Sequence, residues 1–80
     1  MNQVKTDILE HIATLSEKDG YSREVNIVSF NNRVPLLDIR AWRQDGNGSK
    51  TPLKGVRLTD DEARALLDAL TAYLKGGGHE

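Results

Sequence analysis

Apolar residues recur at helical spacing near the C-terminal end of the chain. The members of this stripe are Ala63, Leu66, Leu67, Leu70 and Leu74. Residues three and four positions apart share one side of an α-helix, so the pattern predicts an amphipathic helix. Thr59 and Glu62 have the spacing of a capping box, and Lys75 precedes glycines of the kind that end helices. We therefore predict a helix over residues 60–75.

The middle of the chain has the β-branched and aromatic residues that are typical of strands. Residues 24–30 predict one strand, which ends at a turn. Residues 36–43 predict the next strand, because Pro35 lacks a backbone donor and suits a first strand position. Residues 45–49 predict a loop, and residues 55–58 predict a short strand that runs into the helix cap. Three consecutive strands at hairpin distances predict an antiparallel meander.

Residues 4–16 have a pattern that two secondary structures explain. The apolar positions of this segment are Val4, Ile8, Leu9, Ile12 and Leu15. Their spacing slightly favours a helix, although their neighbours are also compatible with a strand. Lys18-Asp19-Gly20 predicts a tight turn that leads into Tyr21. The pattern by itself leaves both structures open.

Eighty residues are enough for one small domain, which we assign to residues 1–75, with residues 76–80 predicted to be a disordered tail. A domain of this size buries only about 60% of its unfolded surface. The chain contains no cysteine, so self-association is the remaining source of extra stability. Because no apolar run is long enough for a membrane span and no signal peptide is evident, we expect a cytoplasmic protein with no membrane partner.

The net charge of −1 hides an uneven distribution. Residues 1–20 sum to −2 and residues 58–80 sum to −3, whereas residues 21–57 sum to +4. The basic residues of this middle segment are Arg23, Arg33, Arg40, Arg43, Lys50, Lys54 and Arg57. A phosphate chain responds to clustered charge more than to the total, and a two-fold dimer would double the cluster. The charge pattern indicates either a nucleic-acid ligand or a solvated sheet surface.

Strand alternation places two sets of side chains of residues 36–43 on opposite faces. The set predicted to face the core under the helix is Leu37, Ile39 and Ala41. The opposite set, which includes Arg40 and Trp42, is predicted to be exposed. An exposed indole beside a guanidinium can stack on bases and bind phosphates, as a protein that binds single strands requires. The alternative is that Trp42 packs in a dimer interface or against a loop, while Arg40 pairs with Asp38.

Patterns typical of catalysis and of metal binding are missing from the sequence. His11 and His79 have no second ligand or base at a useful spacing. The serines lack a nucleophile elbow, and Gly46-x-Gly48 precedes no helix, so it does not form a dinucleotide loop. Helix capping explains the acidic residues 60–62. We expect a protein that is not an enzyme and that uses no metal or cofactor.

Three segments, in their order and spacing, resemble one family. These segments are Glu24–Asn31, Pro35–Trp42 and Lys54–Ala63. They are similar to the single-stranded-DNA-binding transcriptional coactivator family (positive cofactor C-terminal-domain-like), in particular its small bacterial YdbC-like members. The similarity runs from about Val4 to Leu74. It implies an α+β fold, ββββα, in which a curved four-stranded antiparallel sheet (a meander) precedes one C-terminal helix and dimerises into a groove for single-stranded DNA. Residues 4–16 then form the first strand.

The resemblance also implies contacts for individual residues. Arg40 would bind phosphate and Trp42 would stack on bases. The further nucleic-acid contacts that it implies are Tyr21, Arg23, Phe30, Arg33, Lys54 and Gly55, and we add Lys50 from the basic middle segment. Phe30 replaces a bulkier Trp and Leu53 replaces a basic or small residue, which predicts weaker binding. Asn32 stands at a hairpin position that Gly often occupies.

The sequence therefore predicts a homodimeric single-stranded-DNA-binding protein with little sequence specificity. Its role would be that of a transcriptional regulator or coactivator on melted DNA, nucleoid-associated, with the transcription machinery as a further partner. RNA is left open as a second ligand. The alternative is a protein-interaction dimer whose basic sheet face binds an acidic segment of that machinery. Duplex reading is disfavoured because the clear helix is acidic and buries its apolar stripe.

Overall fold

Four consecutive strands lie side by side, in chain order, in one antiparallel sheet, and a helix follows them. The computed structural model describes residues 5–76. The elements are β1 (Thr6–Lys18), β2 (Tyr21–Phe30), β3 (Leu36–Gln44), β4 (Lys50–Leu58) and α1 (Asp60–Lys75). The predicted ββββα fold is confirmed. Val4, His79 and all of the predicted tail except Gly76 lie outside the described residues.

β1 carries an extra residue at every third position. Its register against β2 shifts three times, and the inserted residues are Leu9, Ile12 and Leu15. An extra residue of this kind bends a strand and increases its twist. A three-residue period also lies close to the 3.6-residue period of a helix, which explains why the pattern slightly favoured a helix. The strand that the resemblance implied for this segment is confirmed from Thr6 and continues to Lys18.

Residues with positive φ lie in the β1–β2 turn and in the β2–β3 turn. Asp19 and Gly20 have φ of 53° and 83°, as a two-residue turn between β1 and β2 requires, so the predicted tight turn is confirmed. Asn31 and Asn32 have φ of 55° and 63°, and Asn tolerates this region through its short polar side chain. Asn32 therefore supplies the backbone conformation for which Gly is the usual residue.

β4 begins at Lys50, five residues earlier than the predicted Gly55. Pro52 lies inside this strand, where its missing N–H is tolerated because β4 is an edge of the described sheet. β4 also contains one extra residue, since the register against β3 shifts between the Arg40 and Trp42 positions. The sheet is thus irregular in both of its outer strands.

The helix α1 spans the predicted residues, and its capping box is confirmed. The Glu62 N–H donates to Thr59 Oγ1 at 3.2 Å, and the Thr59 N–H donates to Glu62 Oε1 at 2.9 Å. None of the α1 residues is buried, and Leu67, Leu70 and Leu74 are 63%, 48% and 66% exposed. α1 contacts only β3 and β4, so the leucine stripe covers little of the sheet.

The most buried side chains lie on the sheet face that was predicted to be exposed. Strand pairing puts Ser22 opposite Trp42, Glu24 opposite Arg40, and Asn26 opposite Asp38, so these six side chains share one face. With Phe30, Lys50, Gly55 and Arg57, they define what we call the Trp42 face. Trp42 is 1% exposed and Asp38 is 0% exposed. The predicted exposure of Trp42 is therefore wrong.

The burial has a physical cause in the sheet itself. Outer strands with extra residues bend the sheet, and long side chains from β3 and β4 lie across the Trp42 face. Leu37, Ile39 and Ala41 on the opposite face are only half-buried, because α1 covers them incompletely. Within the described chain, Val28 and Trp42 are the buried apolar residues.

Candidate nucleic-acid interface

The nine predicted contact residues divide between two faces, a turn and an irregular strand segment. Those on the Trp42 face are Phe30, Arg40, Trp42, Lys50 and Gly55. Tyr21 and Arg23 lie on the opposite face, because they pair with Arg43 and Ala41 of β3. Both of these side chains are exposed and border a cleft of about 520 Å³. Arg33 lies in the β2–β3 connection, and Lys54 lies beside the extra residue of β4.

Arg40 is held entirely by protein acceptors. Its Nε and Nη2 groups donate to the two Asp38 oxygens at 2.7 and 2.6 Å, and its Nη1 group donates to the Leu53 carbonyl at 2.8 Å. The Asp38 carboxylate is fully buried and satisfied by this bidentate pair. The alternative in which Arg40 pairs with Asp38 therefore describes the structure. Whether Arg40 contacts nucleic acid stays a prediction.

Two guanidinium groups lie over the Phe30 ring. The Cζ atoms of Arg40 and Arg57 are 4.9 and 4.8 Å from the ring centroid, within cation–π range. Arg57 Nη1 is buried, lies 3.9 Å from Asp38 Oδ2, and has no hydrogen-bond partner within residues 5–76. Sequence reasoning missed Arg57 as a site residue. Alternation from Gly55 could have found it, because residues 55 and 57 of one strand share a face.

The Trp42 indole is in cation–π contact with Lys50. The Lys50 Nζ atom lies 5.3 Å from the centroid of its ring. The indole N–H is buried and has no hydrogen-bond acceptor in the described part of the chain. Because the side chain is 1% exposed, a base cannot stack on its face in this conformation.

Glu24 was counted in the charge of the middle segment but was not predicted to belong to a site. Its carboxylate accepts hydrogen bonds from Lys50 Nζ at 2.8 and 2.9 Å, from Ser22 Oγ at 2.7 Å and from Asn26 Nδ2 at 3.3 Å. Burial raises the pKa of Glu24, but the hydrogen bonds from Lys50, Ser22 and Asn26 outweigh burial and hold the pKa below its usual value. His11 joins this cluster through a 2.6 Å contact between its Nδ1 and Asn26 Oδ1.

Gly55 is required by the packing of β4 on β3. A Cβ atom at this position would lie 2.0 Å from the Arg40 Cβ and 2.6 Å from the Ile39 carbonyl oxygen. No side chain fits at that distance, so the close approach that calls for glycine is to a neighbouring strand. The predicted contact of Gly55 with a DNA backbone remains a prediction.

The basic residues of the middle segment fall into two groups. Lys50, Arg40 and Arg43 pair with Glu24, Asp38 and Asp45, and Arg57 lies near Asp38. Hydrogen bonding, first from Thr51 and then from Arg43 and Ser49, lowers the pKa of Asp45. Among the basic residues of the middle segment, those that are exposed and have no acidic partner within residues 5–76 are Arg23, Arg33 and Lys54.

The comparison with known proteins agrees with the fold. The family model of Transcriptional Coactivator p15 (PC4) matches residues 17–69, which include β2, β3, β4 and the start of α1. The chain belongs to the PC4 family. The resemblance inferred from the sequence is thereby confirmed, and this family binds single-stranded DNA.

A relative with 37% identity occurs in Treponema pallidum (strain Nichols). The match extends over 67 residues, which are 82% of this chain and 75% of the relative, and that protein is described as uncharacterized. Nothing in residues 5–76 forms a helix long and apolar enough to cross a membrane.

Proposed function

We propose that this PC4-family protein is a homodimer that binds single-stranded DNA with little sequence specificity. It acts as a transcriptional regulator of the coactivator type on melted DNA in the nucleoid. The observation that carries the proposal is the Trp42 face, where three cations lie within 5.3 Å of two aromatic ring centroids. Arg33 and Lys54 add exposed positive charge.

The arrangement favours binding to the phosphate backbone over reading of base edges. Guanidinium and ammonium groups attract phosphates regardless of sequence, and aromatic surface accepts any base. Phe30 is the half-buried aromatic side chain of the face, so bases reach Phe30 and the Arg40 and Arg57 guanidinium groups over it before they reach Trp42. Trp42 instead contacts the Lys50 ammonium through its ring. This division of roles replaces the stacking role that the sequence suggested for Trp42.

The apolar surface that the single chain leaves exposed supports the proposed homodimer. The stripe of α1 is exposed, and the chain has a radius of gyration of 14.4 Å, against about 12 Å for a compact domain of this length. Burying the stripe against a second copy would remove apolar surface from water and bring two Trp42 faces into one assembly.

Binding is tested by fluorescence anisotropy with a labelled dT oligomer and with a duplex of the same length, at several salt concentrations. We expect tighter binding to dT and a fall of log affinity with log salt of about 0.7 per contacted phosphate. Arg33→Ala and Lys54→Ala should each reduce this slope, whereas Lys75→Ala at the end of α1 should not. Equal affinity for the duplex, or a flat salt response, would contradict the proposal. Binding to an acidic peptide without binding to dT would favour the interaction-protein alternative.

The homodimer is tested by sedimentation of two charge variants of α1. Leu70→Glu places a carboxylate in the exposed stripe, and Ala65→Glu places the same group on the other side of the helix. We expect the wild type and Ala65→Glu to sediment as dimers and Leu70→Glu to sediment as a monomer. A wild-type monomer at micromolar concentration would refute the homodimer.

A further inference from the structure

Glu24 is a buried carboxylate on a face whose proposed ligand is a polyanion. Its side chain is 3% exposed. A negative charge in this position repels phosphate, and a buried charge is costly unless it is paired and hydrogen-bonded. The hydrogen bonds of Glu24 indicate which role offsets these costs.

The carboxylate fixes the position of the Lys50 ammonium. Lys50 Nζ donates to both Glu24 oxygens, at 2.8 and 2.9 Å, and lies 5.3 Å from the Trp42 ring centroid. A lysine side chain is a flexible four-carbon chain with a strongly hydrated end, so without this partner the ammonium would move into water. Ser22 and Asn26 hold the carboxylate itself. Glu24 therefore determines that a cation stands above Trp42.

Lys50 is more accessible to a ligand than Arg40. Each of the Nε, Nη1 and Nη2 groups of Arg40 already donates to a protein acceptor, and two of its five N–H groups remain. An ammonium group has three donors, and Lys50 uses two of them on Glu24. Its side chain is also 31% exposed, compared with 13% for Arg40. Lys50 can therefore donate its third N–H to a phosphate oxygen without leaving its carboxylate.

We propose that Glu24 is a positioning residue for single-stranded DNA, which holds the Lys50 ammonium above Trp42 with one N–H directed to a phosphate oxygen. This inference rests on the proposed function. It makes a prediction opposite in sign to that of simple electrostatics. Removal of a negative charge strengthens polyanion binding if charge alone matters, whereas loss of the positioned ammonium weakens it.

Two substitutions separate charge from position. Glu24→Gln removes the charge and keeps the shape, and Glu24→Asp keeps the charge but shortens its reach. We expect each to weaken binding to a labelled dT oligomer by about tenfold, the lower end of the scale for one hydrogen bond to a charged group. The control is Glu17→Gln, which removes an exposed carboxylate cross-strand from Ser22 and should leave binding equal or tighter. Wild-type or tighter affinity in both Glu24 variants overturns the proposal.

The Lys50→Gln background shows whether Glu24 acts through Lys50. Lys50→Gln should weaken binding and lower the salt slope by about 0.7 for each lost phosphate contact. Adding Glu24→Gln should then weaken binding no further, because the two changes remove the same contact. An additional loss of the same size overturns the proposal. Should Glu24→Gln fail to fold by circular dichroism, Glu24→Asp and its double variant with Lys50→Gln provide the same comparison.

The failure of this inference is distinguishable from the failure of the proposed function. If the wild-type protein does not bind dT, the proposed function is refuted. If the wild type binds dT and neither Glu24 variant weakens it, only the positioning role is refuted. A readout without DNA adds to the distinction, since the Lys50 ammonium should give a slowly exchanging ¹⁵N NMR signal in the wild type that is lost in Glu24→Gln.

Discussion

The Trp42 face and α1 distribute polarity in opposite ways. The Trp42 face carries carboxylates, amides and cations, yet Glu24, Asn26 and Asp38 are at most 3% exposed. α1 carries a stripe of leucines, yet none of its residues is buried. The single chain therefore obtains its internal order from strand pairing and satisfied polar groups on a curved sheet. Its helical apolar surface is left for burial against another molecule.

The buried charges of the Trp42 face impose order because each has few acceptable positions. A buried carboxylate that loses its partner leaves an uncompensated charge, which costs about 3–5 kcal/mol. Asp38 fixes Arg40, and Glu24 fixes Lys50. Apolar contacts of α1 have no such requirement, since leucine side chains pack against many surfaces. Substitutions on the two regions should therefore have different consequences.

The largest expected effect is that of Trp42→Ala. Removal of an indole that is 1% exposed should lower the free energy of unfolding by about 3–5 kcal/mol. Urea denaturation followed by circular dichroism measures the change. The control is Val34→Ala, because Val34 is 75% exposed and its truncation should change stability by no more than about 0.5 kcal/mol. A small effect of Trp42→Ala would place the indole outside the core and would mean that the Trp42 face contributes no more to stability than α1.

Gly55→Ala should come next, at about 1–3 kcal/mol, because the new methyl group must displace Arg40 or the β4 backbone. Gly46→Ala is the matched control, since a Cβ at Gly46 meets nothing within 4 Å. Both variants are compared by urea denaturation. Equal stability of the two would mean that β4 moves away from β3 at no cost. Close packing against Arg40 would then not be the reason for glycine at position 55.

Thr59→Ala tests the α1 side of the comparison at a smaller scale. Loss of the capping hydroxyl should cost about 1 kcal/mol of stability. The affinity of the folded variant for dT should not change, because Thr59 lies outside the Trp42 face. Thermal unfolding and anisotropy titration measure the two quantities. A tenfold loss of affinity with unchanged stability would assign Thr59 to the interface.

The smallest expected effect is the contribution of Glu24 to the dependence of stability on pH. The folded-state pKa of Glu24 lies below its unfolded value, so the unfolded chain binds this proton first as the pH falls. The contribution is complete well above the pKa of an unfolded glutamate, about 4.3, and is lost as the pH falls through the folded-state pKa. Glu24→Gln should therefore reduce the slope of unfolding free energy against pH in this acidic range. Asp45→Asn is measured beside it, because the lowered pKa of Asp45 contributes in an overlapping range.

The order of the elements was predictable because each one has a local signal. Thr59 and Glu62 mark the start of α1, and Asp19-Gly20 marks the first hairpin. Alternation also placed Asp38, Arg40 and Trp42 correctly on one face. These features depend on residues close together in the chain, which is the range over which sequence patterns are informative.

Which face of the sheet is buried was not predictable from the same rules. Alternation separates two faces but does not state which face the sheet curves around, and the curvature depends on extra residues in β1 and β4. The predicted exposure of Trp42 was wrong for this reason. Glu24 and Lys50 are 26 residues apart in the chain, so no local pattern indicates their pairing. The requirement for Gly55 arises from Arg40 on another strand and is equally non-local.

The extra residues of β1 also bear on the tendency of the chain to aggregate. An outer strand with exposed Leu9, Ile12 and Leu15 would ordinarily be a template on which strands of other molecules add edge to edge. Cross-β growth needs a flat strand whose side chains alternate strictly, so that identical segments interlock in register. β1 breaks that alternation every third residue. The extra residues therefore make this outer strand a poorer template for fibril growth than a flat strand with the same apolar residues.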